Sequence, residues 1–152
     1  AWPLSKQLFI YGDSIIDNGS YVGSNEPDVA QQISSLVPDW DVNSFATDGA
    51  RCSDIAEQLK HNPPPSGAYV STIYNPKFDH PSTEPIKKPA VGLLTVFNDV
   101  IQEEACAAGY SILELRRLFT RAEHFANPIE PSALGGETIA EATAIWLAKS
   151  SN

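Results

Sequence analysis

The sequence predicts an α/β fold, because strand-like and helix-like segments alternate along the chain. Residues 8–11 form a short apolar run, LFIY, whose length and residue types are typical of a buried strand. Residues 91–107 carry an apolar stripe at helical spacing, formed by Leu93, Phe97, Val100, Ile101 and Ala105. A chain of 152 residues falls in the size range of one domain. We therefore expect a single domain over residues 1–152, with a parallel sheet covered by helices.

The other elements are predicted from residue spacing and from start and stop residues. A helix is expected over residues 28–37, where apolar residues recur at nearly helical spacing and Pro38 marks the end. Residues 75–89 contain four prolines and are predicted to be a loop. The remaining predicted strands are residues 42–45, 69–74 and 112–115, and the remaining predicted helices are residues 53–59 and 132–149.

A formal net charge of -9 narrows the classes of partner. Nucleic acids and anionic membrane surfaces bind basic patches, so an acidic chain disfavours both. No segment approaches the roughly 18 apolar residues that a bilayer-spanning helix needs, so we predict no membrane span. Neutral or cationic small molecules are therefore favoured as binding partners over these polyanions.

The two cysteines, Cys52 and Cys106, are too few for a disulfide-built scaffold and lack metal-ligand spacing. We expect two separate thiols. Residues 1–4 have no charged-then-apolar signal pattern. The sequence does not decide the cellular compartment. The cytoplasm is slightly favoured, and secretion with the signal peptide already removed is the alternative.

Ser14 is the candidate nucleophile of the chain. It follows the first predicted strand in a Gly12-Asp13-Ser14 turn, where Gly12 supplies the backbone freedom that a sharp exit needs. A serine hydroxyl in such a turn is suited to attack on an acyl group once a neighbouring base accepts its proton. The alternative is a turn serine that caps the following helix.

Four segments, taken together, resemble the GDSL/SGNH family of serine ester hydrolases. They are residues 8–19 (LFIYGDSIIDNG), 42–59 (VNSFATDGARCSDIAEQL), 70–78 (VSTIYNPKF) and 127–140 (NPIEPSALGGETIA). The resemblance implies a three-layer α/β/α architecture of flavodoxin-like type, with Ser14 as the nucleophile. It also implies an oxyanion hole formed by the backbone N–H groups of Ser14 and Gly49. The alternative for Gly49 is an ordinary turn glycine.

The sequence departs from the family pattern in two places. Asn127 and Glu130 stand where the family has its catalytic Asp and His. Between Gly49 and the strand near residue 69 there is no Gly-x-Asn-Asp block and no strand to precede it. The expected sheet is therefore shortened by one central strand, and the family's oxyanion-hole asparagine is missing.

Two residues are candidates for the base that accepts the Ser14 proton. Glu130 aligns with the family histidine, and a carboxylate becomes a useful base when burial raises its pKa. Its position just before a helix predicts the opposite shift, because the positive end of the helix dipole stabilises the charged form. Glu130 as a helix-start acid is thus the alternative. His124 lies in the same loop and is the second candidate, ahead of His61 and His80.

Asp13 and Asp17 flank the serine and are candidate substrate-binding residues. The alternative is that both carboxylates accept hydrogen bonds from backbone N–H groups of the loop and the next helix. The Asn98-Asp99 pair is similar to the missing Asn-Asp block in residue type only, since it lies inside the predicted 91–107 helix. We expect no catalytic role for it.

The residues favour a serine ester hydrolase that acts on small esters, with a short acyl chain or an acetyl group, through an acyl-enzyme on Ser14. No cofactor is implied, and no metal, because no ligand spacing is present. The alternative is a catalytically impaired scaffold of the same fold that binds a ligand or associates with itself. A homodimer would repair the sheet edges and uncovered helices that a missing central strand leaves.

Overall fold

The computed structural model describes residues 6–60, 68–79, 81 and 83–150. Four strands are present in this part of the chain: β1 (Lys6–Ile10), β2 (Trp40–Ser44), β3 (Tyr69–Ser71) and β4 (Ser111–Leu113). Its α-helices are α1 (Val29–Leu36), α2 (Ile55–Leu59), α3 (Glu84–Ala107), α4 (Leu115–Leu118) and α5 (Ala133–Ser150). Short 3-10 turns cover Gly19–Tyr21, Cys52–Asp54 and Ala122–His124. No described helix is both long enough and apolar enough to cross a membrane.

The strands form two parallel pairs. β1 pairs with β2, with Leu8 opposite Val42, and β3 pairs with β4, with Val70 opposite Ile112. Within the described ranges no strand joins the two pairs. The expected parallel sheet is therefore divided, and the division falls where the sequence lacks its central strand.

One apolar cluster holds the strand pairs and helices together. It runs from β1 through α1 to α5, and α1 begins with a capping box in which Asp28 and Gln31 satisfy each other's backbone N–H groups. Gly136 lets α5 approach α1 closely, since a Cβ there would lie 3.2 Å from Val29 Cγ2. The buried members of the cluster are Leu8, Ile10, Val29, Ile33, Val37, Tyr74, Leu115, Phe119, Ile139, Ala140 and Leu147.

Helix α3 corrects the prediction for residues 75–89. The helix begins at Glu84, so the end of the predicted loop is helical. Pro85 is tolerated because the backbone N–H groups of the first helical turn have no intrahelical acceptor, so the N–H that proline lacks costs no hydrogen bond. Pro89 lies inside the helix. Proline content alone therefore placed the helix start too late. The predicted strands 69–74 and 112–115 are likewise shorter, since β3 ends at Ser71 and Leu115 begins α4.

Most of the predicted apolar residues of α3 do not pack on the core. Asn98 and Ala105 are the buried residues of this helix, whereas Leu93, Phe97 and Val100 are exposed. Asn98 accepts a hydrogen bond from the Ile73 N–H and donates one to the Ile73 carbonyl, both at 2.7 Å. These two bonds hold the Asn98 side of the helix toward the β3–β4 pair, and much of the predicted apolar stripe is left exposed.

Glu114 links β3 to the segment after β4. Its carboxylate accepts a hydrogen bond from the Thr72 hydroxyl at 2.6 Å and two from the Arg116 guanidinium at 2.8 and 2.7 Å. The Arg116 hydrogen bonds are the main cause that lowers the pKa of Glu114 from 4.5 to about 2. The charged form is thus the one that the folded chain stabilises.

We expect Glu114→Gln to lower the free energy of unfolding by about 2 kcal/mol at neutral pH, since it removes charge-assisted hydrogen bonds. Because the folded pKa lies below the unfolded one, this contribution is complete above pH 4.5 and is lost progressively as the pH falls toward about 2. Urea unfolding of both proteins across this range measures the difference, with the exposed Glu141→Gln on α5 as the control. A difference that does not change with pH would contradict the assignment.

Candidate active site

Ser14 lies in a tight turn that begins just after β1. Gly12 has φ +150°, a conformation that side-chain-bearing residues rarely adopt. The Gln58 side chain on α2 fixes this glycine at both ends: it accepts from the Gly12 N–H at 2.8 Å and donates to the Gly12 carbonyl at 2.7 Å. Asp13 closes the turn by accepting from the Ile15 N–H at 3.0 Å. The backbone around Ser14 is therefore held by hydrogen bonds to the side chains of Gln58 and Asp13.

The turn that carries Gly49 is tied to the Ser14 turn. Asp17 accepts a hydrogen bond from the Asp48 N–H at 2.8 Å, directly before Gly49. Gly49 has φ +78°, which glycine adopts without strain. No described hydrogen bond uses the backbone N–H of Ser14 or of Gly49 as its donor. Within the described chain, neither N–H group is therefore engaged in a backbone hydrogen bond.

Glu130 faces the Ser14 hydroxyl. Its side chain is buried, and its Oε2 atom has no hydrogen-bond partner among the described residues. Burial raises the pKa of Glu130 from 4.5, nearby Asp48 and Asp13 raise it further, and a hydrogen bond from Ser14 lowers it in part. The sequence-based expectation of a lowered pKa is wrong, because burial raises the pKa at this position.

The loop that carries Glu130 is held by hydrogen bonds within the loop and by one from Tyr74 outside it. Asn127 accepts from the N–H groups of Ile129 and Glu130, each at 3.0 Å. The Tyr74 hydroxyl donates to the Ile129 carbonyl at 2.8 Å, and its buried ring stacks on Phe119 with the centroids 4.1 Å apart. Tyr74 is the positioning residue that sequence reasoning missed, since the pattern indicated only a strand residue there.

With Glu130 as the base of the ester hydrolase that the sequence analysis expects, we expect Tyr74→Phe to lower kcat more than it changes KM. The variant keeps the stacked ring but loses the hydrogen bond that holds the Glu130 loop, so the base is placed less accurately. Stability should fall by only about 1 kcal/mol, the worth of one neutral hydrogen bond. Steady-state kinetics together with a thermal melt separate the two effects. A loss of stability with an unchanged kcat would mean that Tyr74 serves the core alone.

The other base candidates lie apart from this arrangement or outside the described residues. His124 is buried, its Nε2 accepts from Arg121 Nε at 3.1 Å, and its ring packs against Phe119. Burial lowers the pKa of His124, and none of its described contacts is with Ser14 or Glu130. His61 and His80 lie outside the described residues.

The remaining predicted site residues have structural contacts. Asp13 and Asp17 each accept a backbone N–H, which is the role set beside substrate binding in the sequence analysis. Asn98, for which no catalytic role is expected, lies on α3 and holds the Ile73 backbone. In the described ranges, no group of three or more His, Cys, Asp or Glu side chains could hold a metal ion.

A cavity of about 300 Å³ opens beside Gly49. Its wall has acidic and amide side chains and no basic residue. An anionic group would be repelled there, whereas a neutral or cationic one is accommodated. The lining residues are Thr47, Asp48, Gly49, Ala50, Asp54, Glu57 and Gln58.

No family model matches the sequence, and no curated protein matches it. The fold does have close counterparts among solved structures. A member of the lipolytic G-D-S-L family from Veillonella parvula superimposes with a TM-score of 0.66 over 91% of this chain and 96% of its own, at 10% identity. A candidate SGNH hydrolase from Slackia heliotrinireducens gives 0.68 over 95% and 100% of the two chains, at 11% identity.

A third counterpart is a GDSL-like lipase from Bacteroides thetaiotaomicron, with a TM-score of 0.58 over 97% of this chain and 90% of that one, at 11% identity. All three matches cover nearly the full length of both chains, so the likeness extends over the order of strands and helices and not over one motif. The chain therefore has the α/β/α fold seen in GDSL/SGNH proteins, and within its described residues no central strand joins the two strand pairs.

Proposed function

We propose that the chain is a serine ester hydrolase that acts on small esters, with Ser14 as the nucleophile and Glu130 as the base. The observation that carries the proposal is the Ser14 hydroxyl set against a buried carboxyl group whose pKa is raised. A carboxylate with an ordinary pKa accepts a proton from serine poorly, and a raised pKa makes it a stronger base. The fold shared with lipolytic proteins supports the same reaction class.

In the first half of the reaction, the Ser14 Oγ attacks the ester carbonyl carbon while its proton moves to the Glu130 carboxylate. The negative charge that develops on the carbonyl oxygen is stabilised by the backbone N–H groups of Ser14 and Gly49. When the tetrahedral intermediate collapses, the bond to the alcohol oxygen breaks. Protonated Glu130 returns its proton to that oxygen, and an acyl group remains on Ser14.

In the second half, water attacks the acyl group on Ser14 and gives a proton to Glu130. The same two N–H groups stabilise the second oxyanion. Collapse releases the carboxylic acid, and the Ser14 oxygen recovers its proton from Glu130. Two N–H donors without a third from an asparagine side chain support slower turnover than three would, since one missing donor costs about 10²–10³-fold in kcat.

The proposed substrates are short-chain acyl or acetyl esters. The open cavity beside Gly49, about 300 Å³, has room for a small alcohol or sugar, although neither Ser14 nor Glu130 lines it. Its acidic wall supports a neutral or cationic ester over an anionic one.

The proposal is tested with 4-nitrophenyl acetate in a stopped-flow burst experiment on the full chain. We expect a burst of 4-nitrophenolate and one acetyl group on the Ser14 peptide by mass spectrometry. Ser14→Ala should lose both, whereas Ser20→Ala, an exposed serine of the neighbouring turn, should keep them. Acetylation at other residues only, or turnover that survives Ser14→Ala, would overturn the proposal.

A second candidate is a catalytically impaired scaffold that binds a ligand or a partner. The divided sheet and the missing oxyanion asparagine favour it. Folded wild-type protein with neither a burst nor turnover would support this candidate over the hydrolase.

A further inference from the structure

Helix α3 presents a large apolar face to solvent. Five large apolar side chains of this helix are each between 48% and 60% exposed: Ile86, Leu93, Val96, Phe97 and Val100. Single exposed apolar residues are normal on a protein surface, but a contiguous row on one helix is not. This row, the α3 stripe, runs through the middle of the helix.

The α3 stripe has the spacing of a helix-to-helix contact. Ile86, Leu93 and Val100 are seven residues apart, and Val96 lies three residues after Leu93. Side chains at these intervals fall on one side of an α-helix and interdigitate with the same pattern on a second helix. The opposite side of α3 is already occupied, because Asn98 and Ala105 face the β3–β4 pair. The stripe is therefore a contact face that the described chain does not cover.

We propose that the α3 stripe is the interface of a homodimer in which the α3 helices of two copies pack antiparallel. A pair centred between Leu94 and Thr95 brings Leu93 of one copy level with Val96 of the other. An α-helix of 24 residues extends about 36 Å, which is long enough for the whole stripe to be covered by its twin.

The opposite charges at the two ends of α3 favour a second copy of this chain as the partner and antiparallel packing of the two helices. Lys87 and Lys88 lie near the start of the helix, one turn after Glu84, and Glu103 and Glu104 lie near its end. None of the described ion pairs involves Lys87, Lys88, Glu103 or Glu104. Antiparallel packing brings each basic end beside the partner's acidic end, whereas parallel packing would bring like charges together. Lys88 and Glu103 lie on the same flank of the stripe, so they are the pair expected to meet.

The contact is independent of the proposed reaction, because no described hydrogen bond joins α3 to the Ser14 turn. We expect a reversible dimer that dissociates on dilution, since one helix pair is small beside the interfaces of permanent dimers. Sedimentation velocity or light scattering of the full chain over a dilution series measures the mass and the dimer dissociation constant.

The test variant is Leu93→Glu with Val96→Glu, and the matched control is Ile145→Glu, which alters a similarly exposed apolar residue (58%) on α5. We expect the stripe variant to raise the dissociation constant by at least about tenfold and the control to leave it unchanged. Circular dichroism and a thermal melt check that both variants keep the monomer fold. A wild-type monomer at about 100 μM chain, or a dimer that the stripe variant does not weaken, would overturn the proposal.

The direction of packing is tested by a charge exchange. Lys88→Glu and Glu103→Lys should each weaken the dimer, and the double variant should restore it, because the exchanged pair again joins opposite charges. A double variant weaker than both single variants would overturn the antiparallel arrangement.

Discussion

Replacing Glu130 with Gln is expected to lower kcat/KM for a small ester by about 10²–10⁴-fold, the usual contribution of a general base. The amide keeps the size of the side chain, so the fold and the Asn127 turn should be retained. It cannot accept the Ser14 proton. Near-ultraviolet circular dichroism and a thermal melt serve as the folding controls, and the kinetics are measured above the pH at which the wild-type rate levels off.

The pH dependence of wild-type activity is a second test of Glu130 as the base. Activity should rise with pH as Glu130 loses its proton, and because burial raises the pKa, the midpoint should lie above 4.5. Glu130→His supplies the base that the family uses, so it should keep activity that Glu130→Gln loses. If Glu130→Gln is fully active and His124→Gln is not, then His124 is the base and Glu130 is not.

Gly135→Ala is expected to lower the free energy of unfolding by about 3 kcal/mol, at the upper end of what overpacking costs. A Cβ at this position would overlap the backbone oxygen of His124 and lie 3.1 Å from Cε1 of Phe119. A backbone oxygen cannot move aside as a flexible side chain does. Helix α5 would have to shift away from the 122–124 turn, and the Ser132 N–H, which donates to the His124 carbonyl, would shift with it.

Gly92→Ala is the matched control, because Gly92 is also a helical glycine but has nothing within 4 Å of an added Cβ. It should stabilise the chain by about 0.5–1 kcal/mol through the lower backbone entropy of alanine in the unfolded state. Urea unfolding of both variants measures the contrast. Equal effects at the two positions would mean that the close contact at Gly135 is relieved without cost.

The elements that the sequence predicts well are those with a local cause. Helix α1 begins one residue after the predicted start because Asp28 caps it, and β1 lies within one or two residues of the predicted run. The start of α3 was misplaced because the proline count was weighed without the tolerance of the first helical turn for proline.

The contacts that shape the candidate site are distant in sequence, and no local pattern contains them. Gln58 fixes Gly12 from 46 residues away, and Tyr74 holds Ile129 from 55 residues away. The pKa of Glu130 depends on how much solvent the folded chain removes, so the helix dipole was a misleading guide. The family resemblance pointed to Ser14 and Glu130, whereas the burial that raises the Glu130 pKa is visible only in the folded chain.

The central claim is that Ser14 is activated by Glu130, and covalent labelling with a fluorophosphonate probe tests it most directly. The wild type, Ser14→Ala and Glu130→Gln are labelled across a pH series and read by intact mass and peptide mapping. We predict one adduct on Ser14 of the wild type, formed faster as the pH rises, absent from Ser14→Ala and much slower in Glu130→Gln. Folded wild-type protein without an adduct, or labelling of Ser14 at the same rate in Glu130→Gln, would contradict the account.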